Sequence, residues 1–260
     1  MKRFATCATF ILSVLAGCST APPPVSAPIA RPTVSAPAPA PAPAPSATPT
    51  IAFNAAAILA GKDSFAVAVG GQTVGSSVMT LTREGGNYRL VTDNSLPQFG
   101  IHETENVTFS AATMAPATYT AQGMMQGMAI NSDVTVTTGH AKGTAQEPGS
   151  GGVKTTNVDL AISPDVVSDD AIIVLIRGLP LTDSFTASYK SFHATPGEVL
   201  PVVVSVTGRE TVTVPAGTFE TFRVQIDQKD PSTVFVTITS PHRVVLGRLN
   251  GGQIEMRLAK

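Results

Sequence analysis

VVVSVTGRETVTVPAGTFETFRVQI, residues 202–226, alternates apolar and polar side chains on both sides of a turn. Val202, Val204 and Val206 share one face of an extended chain, and beyond Gly208 the residues Glu210, Val212 and Val214 resume the period of two. That period is the signature of a strand buried on one face. Pro215 presets φ for the second position of a type I turn, and Gly217 tolerates the position that closes it. The returning arm sets Phe222, Val224 and Ile226 against Thr221, Arg223, Gln225 and Asp227. Phe219 falls out of phase, so a bulge or a turn-end anchor is expected there. The segment is a β-hairpin and carries no chemistry by itself.

From Val206 to Val224 the chain follows the pattern G-x-E-x-V-x-V-P-A-G-T-F-x-T-x-x-V. In this it resembles a bacterial family of exported proteins with a domain of unknown function. The similarity continues through the strand pair around Val69 to Gly75, the Leu179 to Leu181 segment, Pro241 to Val244 and the closing Gly252 to Leu258, and so covers most of residues 61–260. It implies a large, mostly antiparallel β domain with no established activity. Such relatives often carry Trp or Tyr on the strand after the hairpin; here that strand reads Val234-Phe235-Val236, and the chain has no Trp.

Upstream of this domain the chain changes character twice. Residues 1–17 read as a bacterial lipoprotein signal peptide: Lys2 and Arg3 precede an apolar run from Phe4 to Val14 that is too short to span a bilayer. The run ends in Leu15-Ala16-Gly17-Cys18, which resembles a lipobox, so Cys18 is the expected site of diacylglycerol attachment and of palmitate on the new amine. Three acyl chains hold a protein to a membrane far more firmly than one. Ser19 follows the Cys, which by resemblance to enterobacterial sorting favours the outer membrane, facing the periplasm. Residues 18–50 form the lipidated Cys and a Pro/Ala-rich linker, with eleven Pro and nine Ala among residues 21–50. That composition forbids helix and ladder and favours polyproline II, which reaches roughly 90 Å over thirty residues. The expectation is a domain held away from the membrane surface.

Residues 51–260 remain as one β domain. All eighteen acidic residues and fourteen of the seventeen basic ones fall there, Lys2, Arg3 and Arg31 lying upstream, so its net charge is 14 − 18 = −4. A weakly acidic domain without a basic patch or an aromatic ladder excludes nucleic acid as a partner. Cys7 leaves with the signal and Cys18 is the lipid site, so the domain has no thiol for a disulfide or a thiolate metal site. Gly70-Gly71 and Gly85-Gly86 punctuate strands near Phe65 to Val69, Val74 to Arg83 and Tyr88 to Val91, and further alternating runs follow to Leu258. Ala171 to Ile176 is the one apolar run read as a helix: Ser168-Asp169-Asp170 stands where caps stand and Gly178 follows the last turn, although the β-branched side chains also suit a strand. The fold expected is mainly β: a single large antiparallel meander sheet curled into a half-barrel or clamshell, with one short helix against its concave face.

Catalytic signatures are absent from this reading. His102, His140, His193 and His242 are scattered, no G-x-S-x-G elbow occurs, and Asp169-Asp170 is read as helix capping. Glu210 is expected to pair with Arg223 or another base. No metal and no cofactor is expected, and the protein is read as a non-enzyme. Met124, Met125 and Met128 form the most suggestive cluster, because Met adapts to irregular gaps and variable ligands. Together with Ile173 and Ile176 they are the expected lining of a site for an apolar small molecule. The expected partners are therefore the membrane through its lipid anchor and either an apolar ligand or an envelope protein. The alternatives are an assembly protein that uses its sheet edge and, third, a hydrolase.

Overall fold

The computed structural model describes residues 52–260. The expected signal at 1–17, Cys18 and the linker to residue 50 lie outside the described residues. Eight strands follow one another through short turns: β1 (Gly61–Val69), β2 (Gln72–Glu84), β3 (Asn87–Leu96), β4 (Ile101–Ser110), β5 (Pro116–Met125), β6 (Met128–Thr137), β7 (His140–Gly149) and β8 (Gly152–Ala161). A short strand β9 (Val166–Ser168) leads through a 3-10 turn (Asp169–Ala171) into the helix α1 (Ile172–Gly178). Then come β10 (Thr186–His193), β11 (Glu198–Val214), β12 (Gly217–Asp227), β13 (Ser232–Thr237), β14 (Val244–Leu249) and β15 (Ile254–Leu258).

All fifteen strands belong to one sheet. Sequence neighbours lie side by side from β8 back to β1 and from β15 back to β9, and the two series meet where β1 pairs with β15. The expected mainly β fold, one large sheet with one short helix, is the fold observed. One correction concerns its sense: β9 runs parallel to β10, with Val166 opposite Lys190, so the sheet is mixed. The reason is α1, since a helix between two neighbouring strands is the usual crossover that makes them parallel. The edges β8 and β9 are not hydrogen-bonded to each other, so the sheet does not close into a barrel.

The hairpin of β11 and β12 corrects a second expectation. The bulge lies at Val206/Gly208, where Gly208 has φ 151°, while Phe219 pairs regularly with Val212 and packs next to the turn against the cluster that holds Val212 and Val214, so of the two expected roles it takes that of turn-end anchor. One extra residue in a strand turns every later side chain to the opposite face. Accordingly Val202, Val204 and Val206 enter the main core, whereas Val212 and Val214 join Phe65, Phe235, Val245, Leu246 and Leu258 in a separate cluster. The apparent continuity of the alternating valines thus conceals a change of face. At the tip, the Ala216 N–H donates to the Leu258 carbonyl at 3.0 Å, holding the hairpin against the end of β15. Gly217 has φ 138°, a region that a β-branched residue adopts only under strain, whereas Gly151 sits in open space without such a φ. Gly217→Val is expected to lower stability by about 1–3 kcal/mol and Gly151→Val by much less, read as unfolding midpoints in urea.

The main core is where α1 lies. Ile172, Val174, Leu175 and Ile176 are all buried there with Tyr88, Val107 and Phe109 from one series of strands and Val202, Val224 and Val236 from the other. A helix that is apolar almost all round is a buried helix, which is why a β-branched run can hold this conformation. Its C-terminus is closed by the start of the domain: the Asn54 N–H donates to the Gly178 carbonyl at 2.7 Å, and the Arg177 guanidinium donates to the Leu59 carbonyl at 2.8 Å.

Candidate functional site

Strand β4 presents an inward column of Glu103, Glu105, Val107 and Phe109. Val107 and Phe109 are fully enclosed in the main core, so the period of two carries both carboxyl groups into the same interior. On β5, Tyr119, Ala121 and Gly123 stand opposite Val107, Glu105 and Glu103, and Met125 continues that column. From the other series, β10 contributes Tyr189, Ser191 and His193 at alternate positions. The 3-10 turn before α1 supplies Asp169 and Asp170. Between these elements lies a cavity of about 320 Å³, lined by Glu103, Glu105, Tyr119, Met125, Asp169, Asp170 and His193, with Glu147 and Thr195 at its sides.

The charge balance of this cavity is lopsided. Five carboxyl groups line it and no Lys or Arg does. Glu147 pairs with Lys154 at 2.5 Å, and Asp169 Oδ2 pairs with His193 Nδ1 at 3.0 Å. Glu103, Glu105 and Asp170 have no ion pair among the described residues. Burial, reinforced by the neighbouring charges of Asp170, Glu103 and Asp169, pushes the Glu105 pKa up to about 8. Burial and Asp169 push Asp170 up to about 7. Burial also raises Glu103, partly offset by the Asn94 amide opposite it on β3. Burial and then the Glu105 charge raise the Tyr119 phenol. Desolvation disfavours the charged form in each case, so at neutral pH this site holds protons.

A second polar chain runs along its wall. The Ser191 hydroxyl lies 2.8 Å from His193 Nε2, and His193 Nδ1 faces Asp169, an arrangement that fits Nδ1–H donating to the carboxylate and the hydroxyl donating to Nε2. The order Ser-His-Asp is that of an acyl-transfer triad. Ser191, however, is 0% exposed and sits in mid-strand, so no substrate carbonyl reaches its hydroxyl. Its geometry orients the imidazole. Asp169 Oδ1 and Thr195 Oγ1 are buried without a hydrogen-bond partner.

Only part of this was expected. Met125 lines the cavity, but the other residues read as an apolar lining are dispersed: Ile176 is buried in the main core, Ile173 packs against that core, Met124 is 40% exposed, and Met128 faces Met125 across the β5–β6 turn. Asp169 and Asp170 line the cavity, and Ser168, at the cap position, makes no side-chain bond to the first turn. Glu210 does not pair with Arg223, whose Nε donates instead to Thr207 at 3.0 Å; it lies in a shallow cavity with Arg248 and Arg257. The residues overlooked are Glu103 and Glu105. Their signal was present as Glu103-x-Glu105-x-Val107-x-Phe109, two carboxyls continuing the period of a buried apolar column.

Comparison with curated proteins and with solved structures gives no match. A family model described as a protein of unknown function, DUF3108, matches residues 64–258, from β1 to the end of β15. That span takes in the sheet except the first three residues of β1, the hairpin pattern and every residue of the carboxyl cavity, and the chain therefore belongs to the DUF3108 family.

Proposed function

We propose that this chain is a lipid-anchored binding protein of the bacterial envelope, held through Cys18 at the periplasmic face of the outer membrane, whose domain acts by binding and not by catalysis. The observation that carries this reading is the carboxyl cavity: a concave site with convergent polar groups and shifted pKa values, at a place where the core is otherwise filled. The complete burial of Ser191 supports binding over hydrolysis. Packing of Ile173 and Ile176 with the main core moves the ligand site away from α1 and makes a polar ligand a better fit than an apolar one.

The test is native mass spectrometry of the full-length protein extracted from its own membrane. The expected spectrum carries three acyl chains on Cys18 and a co-purifying small mass that is absent when Thr195→Trp fills the cavity. A spectrum with no such mass, unchanged by the substitution, overturns the ligand-binding reading. The anchor is tested separately: Cys18→Ser is expected to abolish palmitate labelling while leaving the unfolding midpoint of the domain unchanged. Labelling equal to wild type removes the lipoprotein reading.

A second reading rests on β8. Its outer edge, ten residues long, has no hydrogen-bonded neighbour among the described residues, and Val153 on it is among the more exposed large apolar side chains. Such an edge is a template for strand addition by a partner chain. A partner-protein mass in the same spectrum favours an assembly role over a ligand site.

A further inference from the structure

The carboxyl cavity is built for positive charge, and it asks for it from outside. Glu103 is 5% exposed and lines the cavity, where its side-chain partner is the neutral Asn94 amide and no Lys or Arg faces it. Asp169 Oδ1 and Thr195 Oγ1, in residues that line the same cavity, are buried without a hydrogen-bond partner. Buried polar groups in native proteins are almost always satisfied, so two such oxygens beside five carboxyl groups with no Lys or Arg among them favour a donor that carries positive charge. Resting on the reading of this cavity as the ligand site, we infer that its ligand is an alkyl ammonium compound, a small primary amine or diamine, bound through Glu103, Glu105 and Asp170.

The walls distinguish this from a metal ion. A Ca²⁺ or Mg²⁺ site needs six or more oxygens at about 2–2.6 Å, and no set of three or more acidic, His or Cys side chains among the described residues is arranged to hold a metal. An ammonium needs three hydrogen-bond acceptors and tolerates a wider spread. Its alkyl chain needs apolar wall, which the Met125 thioether and the Tyr119 ring supply, and an aromatic face attracts a cation directly. The rim already receives one ammonium in this manner: Lys154 Nζ lies 2.5 Å from Glu147, which lines the cavity. The volume, about 320 Å³, suits a compound of small-molecule size and excludes a folded partner.

Binding is coupled to protons. The groups facing the ligand are Glu103 and Glu105 from β4, Tyr119 from β5, Asp169 and Asp170 from the turn before α1, and His193 from β10; Glu147, from β7, is already paired. Without a cation beside them, Glu105 keeps its proton at neutral pH and Asp170 keeps its own in part, and an incoming ammonium stabilises their ionised forms, so protons leave as the amine enters. Affinity therefore rises with pH, by up to about tenfold per unit for each proton released, and levels off above pH 8.

The probe is 1,5-diaminopentane, titrated calorimetrically into the full-length lipidated protein in a non-ionic detergent at pH 6.5, 7.5 and 8.5. The controls are 1,5-pentanediol, glutarate and CaCl₂. The expected result is one diamine per chain, binding at least tenfold more tightly at pH 8.5 than at pH 6.5, with proton release confirmed in buffers of different ionisation heat. Glu103→Gln and Glu105→Gln are expected to weaken binding at least tenfold at pH 8.5, whereas Glu210→Gln at the hairpin leaves it unchanged. Urea midpoints certify that each variant is folded. Tighter binding of the diol, glutarate or Ca²⁺, lost in the same variants, overturns the amine inference and leaves the cavity as a ligand site. Diamine binding indifferent to pH and to both substitutions overturns both. Absence of diamine binding overturns the inference, while the co-purifying mass decides the reading beneath it.

Discussion

Glu105→Gln raises the unfolding free energy by about 4–5 kcal/mol at pH 8 and changes it little at pH 4. In the folded protein the Glu105 carboxyl is held up to about 8, chiefly by burial, while in the unfolded chain it returns to the ordinary carboxylate range. Between those values the folded state binds more protons than the unfolded state, so stability falls as pH rises through that window. Below it both states are protonated and the group contributes nothing to the pH dependence. Gln reproduces the neutral acid in size and hydrogen bonding and cannot ionise, so the variant escapes the penalty at high pH only. The Asp170 charge adds to the burial that raises Glu105, and the substitution removes that repulsion as well. Urea unfolding at pH 4, 6, 7 and 8 measures the difference. Parallel profiles for the two proteins mean that Glu105 is solvated and that the cavity holds no charge strain. The variant that stabilises the domain is also one expected to lose the amine, and a stability cost kept at one place in a chain is what a binding site built of unpaired carboxyls entails.

The sheet was legible because its cause is local. Alternation in Val202 to Val206 and Phe222 to Ile226, and glycine turns such as Gly70-Gly71, are properties of a few adjacent residues, and β1–β2 and β11–β12 formed where those signals stood. The helix was legible too, from Gly178 and the apolar run, although the Asp pair before it serves the cavity. The face reversal at Gly208 was not, because a bulge leaves the spelling of the alternation intact while exchanging inside and outside. β9 was missed because three residues carry no period, and its parallel pairing depends on where α1 packs. The carboxyl site was hidden for a different reason. Glu103 and Glu105 come from β4, Asp169 and Asp170 from a turn more than sixty residues later, and His193 from β10, so nothing in their spacing brings them together. The methionines stood out by clustering in sequence, yet of the three only Met125 lines the cavity; alternation along β5 puts Met124 on the other face, where it is 40% exposed.

Ile176→Ala lowers the unfolding free energy by about 3–4 kcal/mol at pH 5, where Glu105 and Asp170 keep their protons. The side chain is 0% exposed and belongs to the cluster formed by both series of strands, so truncation removes its transfer free energy and leaves a void that a helix clamped at its C-terminus by Asn54 and Arg177 cannot collapse to fill. Ile173→Ala, on the partly exposed side of the same helix, costs only about 1 kcal/mol. The contrast separates two roles for α1. If the helix roofed a space that an acyl chain shares, Ile176 would border that space, its truncation would be cheap, and a larger void would bind a fluorescent fatty acid more tightly. If the helix is the centre of a filled core, truncation is costly and wild type shows no saturable acyl binding, since close-packed interiors leave no volume to lend. Urea midpoints of the two variants, with acyl-probe titration of the wild type and of Ile176→Ala, decide it: a small loss for Ile176→Ala together with probe binding returns the ligand to the apolar side of the helix, and a large loss without it leaves the carboxyl cavity as the place where this domain meets a small molecule.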